Sequence, residues 1–483
     1  MIMGYILWAI LILVCAFIAV VLIRTLRFKP IAGNAPVLLS EEEHFDKDGA
    51  VRALQELVRC KTVSNADHAL EDDGEFEKMI ALLPELYPNV FKTCQFNRMP
   101  DRGLLFKWSG KESGEPTVLM AHYDVVPVNE EGWDKPPFEA ILEDGVLWGR
   151  GTLDTKVTVN GILTAAEHLI AQGFVPEKDI YFAFSGGEEV NGLGAVHIVD
   201  WFEENGITPA MVVDEGGAVV ENVFPGVTIP CGLIGIAEKG YMNVEYRTRS
   251  AGGHASAPKP HTPVGVLSRA CCRMENNPFP SHLTPPVAGM FDTLARHSNF
   301  LYRMIFANLW CFSGVLDMIC RKSGGELNAL MRTTVAFTQM EGSAAPNVIP
   351  PEARMVSNMR LNPMDTMDSA LEYIRKTVND PNVEVSVLSG IDPSRVSTTD
   401  CPGWGKVASA VASTWRGCVV SPYLMIQCSD SRHYGRISDR VFRFSAMDLT
   451  AEERGTIHGH NERIRVETVH RCVEFYIRLI KQC

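Results

Sequence analysis

A chain of 483 residues, 46% hydrophobic and 21% charged, has apolar material for more than one core and excludes a disordered or collagen-like polymer. Its net charge of −13 argues against non-specific nucleic-acid binding, which needs a basic surface to displace phosphate counterions. Thirteen cysteines at irregular spacing include no CxxC pair, which disfavours a cysteine zinc ribbon, a thioredoxin-type centre or a disulfide-stapled scaffold and leaves thiols in a reducing compartment as the expectation.

Residues 1–23 carry no charged side chain, and Arg24, Arg27 and Lys29 follow at once. A helix over that stretch reaches roughly 35 Å, enough to cross the hydrocarbon layer of a bilayer. Tyr5 and Trp8 suit the interface at its outer end. A cleaved signal peptide would show a basic start and a shorter apolar run. A single-pass anchor over 1–27 is therefore expected, and the basic flank places the remainder in the cytoplasm.

Residues 33–36 read as a linker. Ser40 then precedes a helical stretch in which Phe45, Val51, Leu54 and Leu57 keep helical spacing. Strands are predicted over 117–121, 179–185 and 211–214, alternating with helices over 159–171 and 195–205. That alternation implies an α/β fold with a mainly parallel, twisted sheet. From about residue 236 the texture changes, with strands over 241–249, 332–340, 354–361 and 383–388 and helices over 263–274 and 367–378. A β-α-β-β-α-β order points to a smaller α+β domain, at 237–390, inserted between catalytic parts 28–236 and 391–483. Inside it, 300–320 is apolar but contains Arg303 and Asp317. A second membrane span is disfavoured there, and an amphipathic helix that packs on the protein or grazes a membrane is expected.

Five segments place acids and imidazoles at strand ends or helix starts: AHYDVVP (121–127), GRGTLDTK (149–156), SGGEE (185–189), VDEGG (213–217) and IHGHNE (457–462). Each alone has an ordinary reading as a solvated turn or a hydrogen-bonded histidine. Gathered at the mouth of one sheet, so many carboxylates would repel one another. Two divalent cations carry four positive charges, which three carboxylates and one hydroxide would balance, with imidazoles completing shells suited to zinc. Two such ions would polarise a carbonyl and lower the pKa of a shared water.

In this order and spacing the five segments resemble the dinuclear zinc peptidase family of carboxypeptidase G, carboxypeptidase S and the aminoacylases, nearest its branch acting on N-acyl amino acids and Gly-X dipeptides. The resemblance covers nearly everything after the anchor. It implies two Zn2+ per subunit, with Co2+ or Mn2+ as substitutes. His122 and Glu189 would be terminal ligands and Asp154 the bridging one. A further ligand would be Asp214, or else its neighbour Glu215, and His458, rather than His460, would be the last. The resemblance also gives Glu188 as general base and acid, with Asp124 steadying the His122 imidazole. His254, in GGHAS (252–256), would reach a neighbouring subunit's site as an oxyanion donor, which implies a homodimer through the inserted domain. Arg432, in SDSRH (429–433), would hold the substrate carboxylate, and Asn347, in PNVIP (346–350), would contact the substrate. Arg360 reads first as a strand arginine.

Two positions depart from the family. Thr155 follows the bridging aspartate where many relatives carry a second acid, joined by a cis peptide. Cys428-Ser429 replaces a Gly-Thr before the substrate arginine. The expected activity is metal-dependent hydrolysis of N-acyl amino acids or of C-terminal residues of dipeptides. Two alternatives are condensation of fatty acids with amino acids at the same site, and a non-catalytic anchored binding protein, which predicts gaps in the constellation. The anchor beside 300–320 makes lipidic substrates attractive.

Overall fold

A computed structural model of the chain describes residues 2–31, 36–39, 42–222 and 224–483. Of the expected linker only Pro36 is among them, and Ser40 lies outside the described residues. The following helix, Lys47–Val58, starts instead from Asp46, whose carboxylate accepts the Gly49 N–H at 2.8 Å.

An eight-stranded mixed sheet organises the larger part. Its order is Gln95–Met99, Gly103–Trp108, Ile180–Ser185, Thr117–His122, Met211–Val220, Val441–Leu449, Cys231–Glu238 and Val419–Met425. The middle of the sheet is parallel: Thr117–His122 pairs that way with both Ile180–Ser185 and Met211–Val220, and Met211–Val220 with Val441–Leu449. Such strands are buried on both faces, so away from the site residues they are mostly apolar and alternate residues feed two cores. Leu119, Ala121, Phe182 and Phe184 join the core under the helices Lys47–Val58, Lys156–Ala171 and Val466–Ile480. Val118, Met120, Tyr181 and Ala183 point the other way, onto Ile198, Val199 and Phe202 of Gly194–Glu204.

A four-stranded antiparallel sheet follows, in the order Thr334–Glu341, Glu352–Leu361, Gly240–Arg249, Glu384–Ile391. The helices Pro263–Asn276 and Met367–Val378 close a separate core around Val244, Tyr246, Leu267, Met355 and Ile374. The stretch 285–331, which the sequence groups with this insertion, packs elsewhere. Val287, Phe291, Phe306, Leu316 and Leu330 belong to the first core. Pro285–Ala295 lies against Val419–Met425, the otherwise uncovered edge strand of the large sheet.

The apolar run 300–320 is two helices, Phe300–Ala307 and Leu309–Ser323, bent by 114° at Asn308. They pack on the N-terminal helix Ile2–Arg27, the only described helix long and apolar enough to cross a membrane unbroken.

Candidate metal centre

Two of the five acidic segments, 121–127 and 185–189, lie at the C-terminal ends of parallel strands; 213–217 lies within Met211–Val220, and 149–156 and 457–462 are carried to the same place by loops. His122 is the last residue of Thr117–His122. Its Nε2 lies 3.0 Å from Asp154 Oδ1 and 3.5 Å from Glu215 Oε1. The other oxygen of Asp154 lies 3.0 Å from His458 Nε2, which is also 3.0 Å from Glu189 Oε2. Asp154 therefore turns one oxygen to each imidazole, and the donors divide into two groups that share it. Ligand atoms around a tetrahedral ion with bonds of about 2.0–2.1 Å sit roughly 3.3 Å apart, so these spacings fit one ion per group. Glu188 lies with His122 and Glu215 at the first group.

Asp124 is fully buried and arranges both groups. Its carboxylate accepts the backbone N–H groups of Glu188 and Glu189, each at 3.2 Å, and the Ser64 hydroxyl at 2.7 Å. The two neighbouring glutamates start from one fixed turn and point to opposite donor groups. The His122 Nδ1 lies 3.1 Å from the Asp124 backbone carbonyl and 3.4 Å from its carboxylate, which holds the ring with Nε2 toward the cluster.

Of the two neighbouring acids, Glu215 is the one that lies beside His122. The strand register runs Arg443 opposite Asp214 and then Phe444 opposite Gly217, so Glu215 and Gly216 form a bulge. Gly216 sits at φ +140, and a Cβ on Gly217 would lie 1.9 Å from the Leu233 carbonyl oxygen. The bulge swings Glu215 into the cluster and leaves Asp214 facing the opposite way, where it accepts the Ser431 N–H at 3.0 Å. Asp214 is thus a loop anchor. His458 takes a left-handed backbone conformation (φ 58) to enter the cluster, while His460 packs against Gly132.

Glu462, quoted in the motif but given no role from sequence, is buried in the wall behind Asp154. One of its oxygens accepts the N–H groups of Gly151 at 3.0 Å, Leu153 at 2.7 Å and Asp154 at 3.2 Å, and the other pairs with Arg150. The Asp154–Thr155 peptide is cis.

Arg432 follows a loop pinned by buried carboxylates. Glu238 accepts the Ser429 N–H at 3.0 Å and pairs with Arg443, and Asp430 accepts the Ser185 hydroxyl. The Arg432 Nε donates to the Ser429 carbonyl at 2.9 Å, while its Nη1 is buried with no hydrogen-bond partner among the described residues. His254 and Asn347 come together on a short ladder of the inserted part: Gly253–His254 pairs with Val348–Ile349, and the Ala255 N–H donates to the Asn347 carbonyl at 2.9 Å. Both are exposed, and neither joins the metal-ligand cluster of its own chain.

The electrostatics of the cluster call for cations. Burial pushes Glu215 up to about 8, reinforced by Asp154 and Asp214 and opposed by His122. Burial likewise holds Glu188 well above the carboxylate range, with the Glu215, Asp430 and Glu189 charges adding to it, and it raises Glu189. Hydrogen bonds to Asp154 and Glu189 lift His458 to about 10. Burial opposes charge on His122, yet Glu215, Asp124 and Asp154 hold it well above its ordinary value. Protons thus occupy places that a divalent ion would take, and a nitrogen-and-oxygen donor set of this kind suits zinc-like metals.

A cavity of about 610 Å³ contains Asp154, Glu188, Glu189, Glu215 and His458 and continues along Val220, Leu233, Met425, Met447 and Leu449. A larger one, about 1020 Å³, adjoins it across Leu449, Ala451 and Arg454; it is lined by arginines and acids and holds none of the cluster.

Residues 118–482 match the model of peptidase family M20/M25/M40. The chain belongs to this family. It is 35% identical to the N-fatty-acyl-amino acid synthase/hydrolase PM20D1 of Xenopus tropicalis, over 96% of this chain and 92% of that protein. It is 33% identical to the probable carboxypeptidase S-like 2 of Dictyostelium discoideum, over 97% and 92%. Among solved structures, human carnosine dipeptidase 1 shares the fold with a TM-score of 0.63 at 15% identity, covering 90% of this chain and 96% of that one. Family and cluster together make the chain a metal-dependent amide hydrolase with an α/β peptidase fold.

Proposed function

We propose that the chain hydrolyses N-acyl amino acids with long acyl groups, using two zinc ions. One ion would be held by His122, Glu215 and one oxygen of Asp154, the other by the second oxygen of Asp154, Glu189 and His458. When bound, the pair supplies Lewis acidity to the substrate carbonyl and lowers the pKa of a nearby water.

The chain's own groups do the rest. Glu188, beside the first donor group and inside the cavity, takes a proton from the attacking water and passes it to the leaving amine. Burial and the neighbouring carboxylates raise its pKa, which favours holding the proton long enough to return it to the amine. Arg432 presents a guanidinium N–H without a hydrogen-bond partner among the described residues, which suits the free carboxylate of the amino-acid half. His254 accepts the Ser256 N–H on Nδ1 at 3.1 Å, so its exposed Nε2 carries the proton and can donate to an oxyanion. With Asn347 beside it, it would serve the site of a second subunit in a homodimer.

The observation that carries the acyl-group reading is the cavity, which runs from the acidic cluster into an apolar wall of Val220, Leu233, Met425, Met447 and Leu449. Its volume of about 610 Å³ exceeds what an acetyl or aminoacyl group needs. The name of the Xenopus relative supports the same substrate class, and its synthase half supports condensation by the reverse path at the same residues. Zinc-loaded protein assayed on N-oleoyl, N-acetyl and glycyl derivatives of one amino acid should show kcat/KM highest for the oleoyl compound. Equal or better turnover of the acetyl or glycyl compound would exclude the reading.

The helix Ile2–Arg27 is read as an anchor rather than a leader because Val21 and Thr25 are buried against the folded domain. Arg24, Arg27 and Lys29, together with thirteen free thiols, favour a cytoplasmic catalytic portion. Protease added outside intact cells should leave that portion uncut, and its digestion would reverse the orientation.

A further inference from the structure

The helices Phe300–Ala307 and Leu309–Ser323 form an elbow that fits neither a core element nor an ordinary surface. Within it Asp317 is turned to the protein, pairing with the buried Arg332 and with Arg321, and the exposed charges of its second helix, Arg321 and Lys322, are confined to that helix's last turn. Its outward side is apolar, with Phe300, Leu301, Trp310, Val315, Met318 and Ile319 exposed, Leu301 and Met318 by 60% and 61%. A contiguous apolar face of this kind on a soluble surface marks an interaction site.

What covers it follows from its place beside the N-terminal helix. The elbow does not merely touch the helix's basic end, where the Arg24 Nε donates to the Ala307 carbonyl at 3.2 Å. At the bend, the Asn308 amide donates to the Val21 carbonyl and the Thr25 hydroxyl, each at 3.2 Å. One turn further, the Trp310 ring packs edge-on against Phe17 with centroids 5.7 Å apart. Phe17 precedes Arg24 by seven positions, about 10 Å along the helix axis toward the apolar end. If Arg24 marks the headgroup level, Trp310 stands at the depth of the acyl chains, where amphipathic interfacial helices bury their apolar faces.

We propose that this elbow is a second membrane-inserted element, lying in the same leaflet that the N-terminal helix enters and fixing the catalytic portion against the bilayer. The occupant of the apolar face is lipid. The inference rests on reading Ile2–Arg27 as an anchor. It also bears on substrate access, because the helix after the elbow, Gly325–Met331, contributes Glu326 to the wall of the catalytic cavity. An acyl chain partitioned in the leaflet would meet the site without crossing water.

The test uses the full chain in phosphatidylcholine nanodiscs, with and without bromine on the lipid acyl chains, reading tryptophan emission. The chain has eight tryptophans, of which Trp8 and Trp310 are the ones expected in lipid. Bromolipid should quench Trp8→Phe by close to one indole's share of the emission, and that quenching should vanish in Trp8→Phe/Trp310→Phe. Quenching already absent in Trp8→Phe, with the wild type quenched, would place the elbow in water or under a second copy and overturn the inference while leaving the anchor. No quenching of the wild type would overturn both.

Discussion

Glu188 and Glu189 are adjacent, yet their surroundings give them different work. Asp124 accepts both backbone N–H groups, so the turn is fixed and each side chain has one direction open to it. Glu189 lies 3.0 Å from His458, whose hydrogen bond opposes the rise that burial gives it, whereas Glu188 has no imidazole hydrogen bond among the described residues and is held well above the carboxylate range by burial and by the Glu215, Asp430 and Glu189 charges. Glu188→Gln keeps the shape and removes the proton acceptor. The variant should bind metal at the wild-type stoichiometry and lose about 10²–10⁴-fold in kcat. Metal analysis beside steady-state kinetics checks it: full activity would remove Glu188 from the proton transfer, and loss of metal would make it a ligand.

At the scale of an element, the strand Met211–Val220 decides which acid of an Asp-Glu pair reaches the cluster. Simple alternation along a strand cannot choose, because a one-residue slip exchanges the two faces. The bulge at Glu215 and Gly216 makes the choice, and the Gly-Gly that follows the acids was its signal in the sequence, since Gly216 takes a conformation and Gly217 a closeness that side chains do not tolerate. Glu215→Gln should therefore lower bound metal, whereas Asp214→Asn should keep the metal and raise KM by loosening the loop that carries Arg432. Metal stoichiometry equal in the two variants would refute the division. The strands were otherwise legible, 117–121 because a strand buried on both faces is largely apolar and 241–249 because its residues alternate: they fall within Thr117–His122 and Gly240–Arg249. The bend at Asn308 was not legible, since its cause is a set of bonds to Val21 and Thr25 far away in the chain. Glu462 escaped for a similar reason: its partners are backbone N–H groups, which leave no mark in a side-chain pattern.

Across the whole molecule, the cluster ties stability to pH and metal. Without ions, Glu215 has a folded pKa of about 8, above its ordinary 4.5, and His458 one of about 10, above 6.5. In both cases the folded state binds more protons than the unfolded state between the two values, so stability falls as pH rises through about 4.5–8 for Glu215 and about 6.5–10 for His458. Asp154, held below its usual range by the two imidazoles against the effect of burial, acts only at lower pH, below its ordinary 3.8. Chelator-treated protein should thus lose Tm between pH 5 and 9. Zinc-loaded protein should hold its Tm better, because an ion binding only the folded state adds stability and competes less with protons as pH rises. Calorimetry of both forms across this range checks it; a metal-free Tm that climbs with pH would contradict the sign.

The Glu462 carboxylate that satisfies the loop before Asp154 arrives 308 positions later in the chain. At a synthesis rate of about 5–20 residues per second, roughly 15–60 s separate the two on the ribosome. His458 belongs to the same late segment, so neither the shape of the loop at Asp154 nor this imidazole is in place until residues 458–462 have been made. Reactivity toward amides is in this way withheld from the nascent polypeptide until that segment joins the cluster, and a product terminated before it would be inert rather than an unregulated hydrolase.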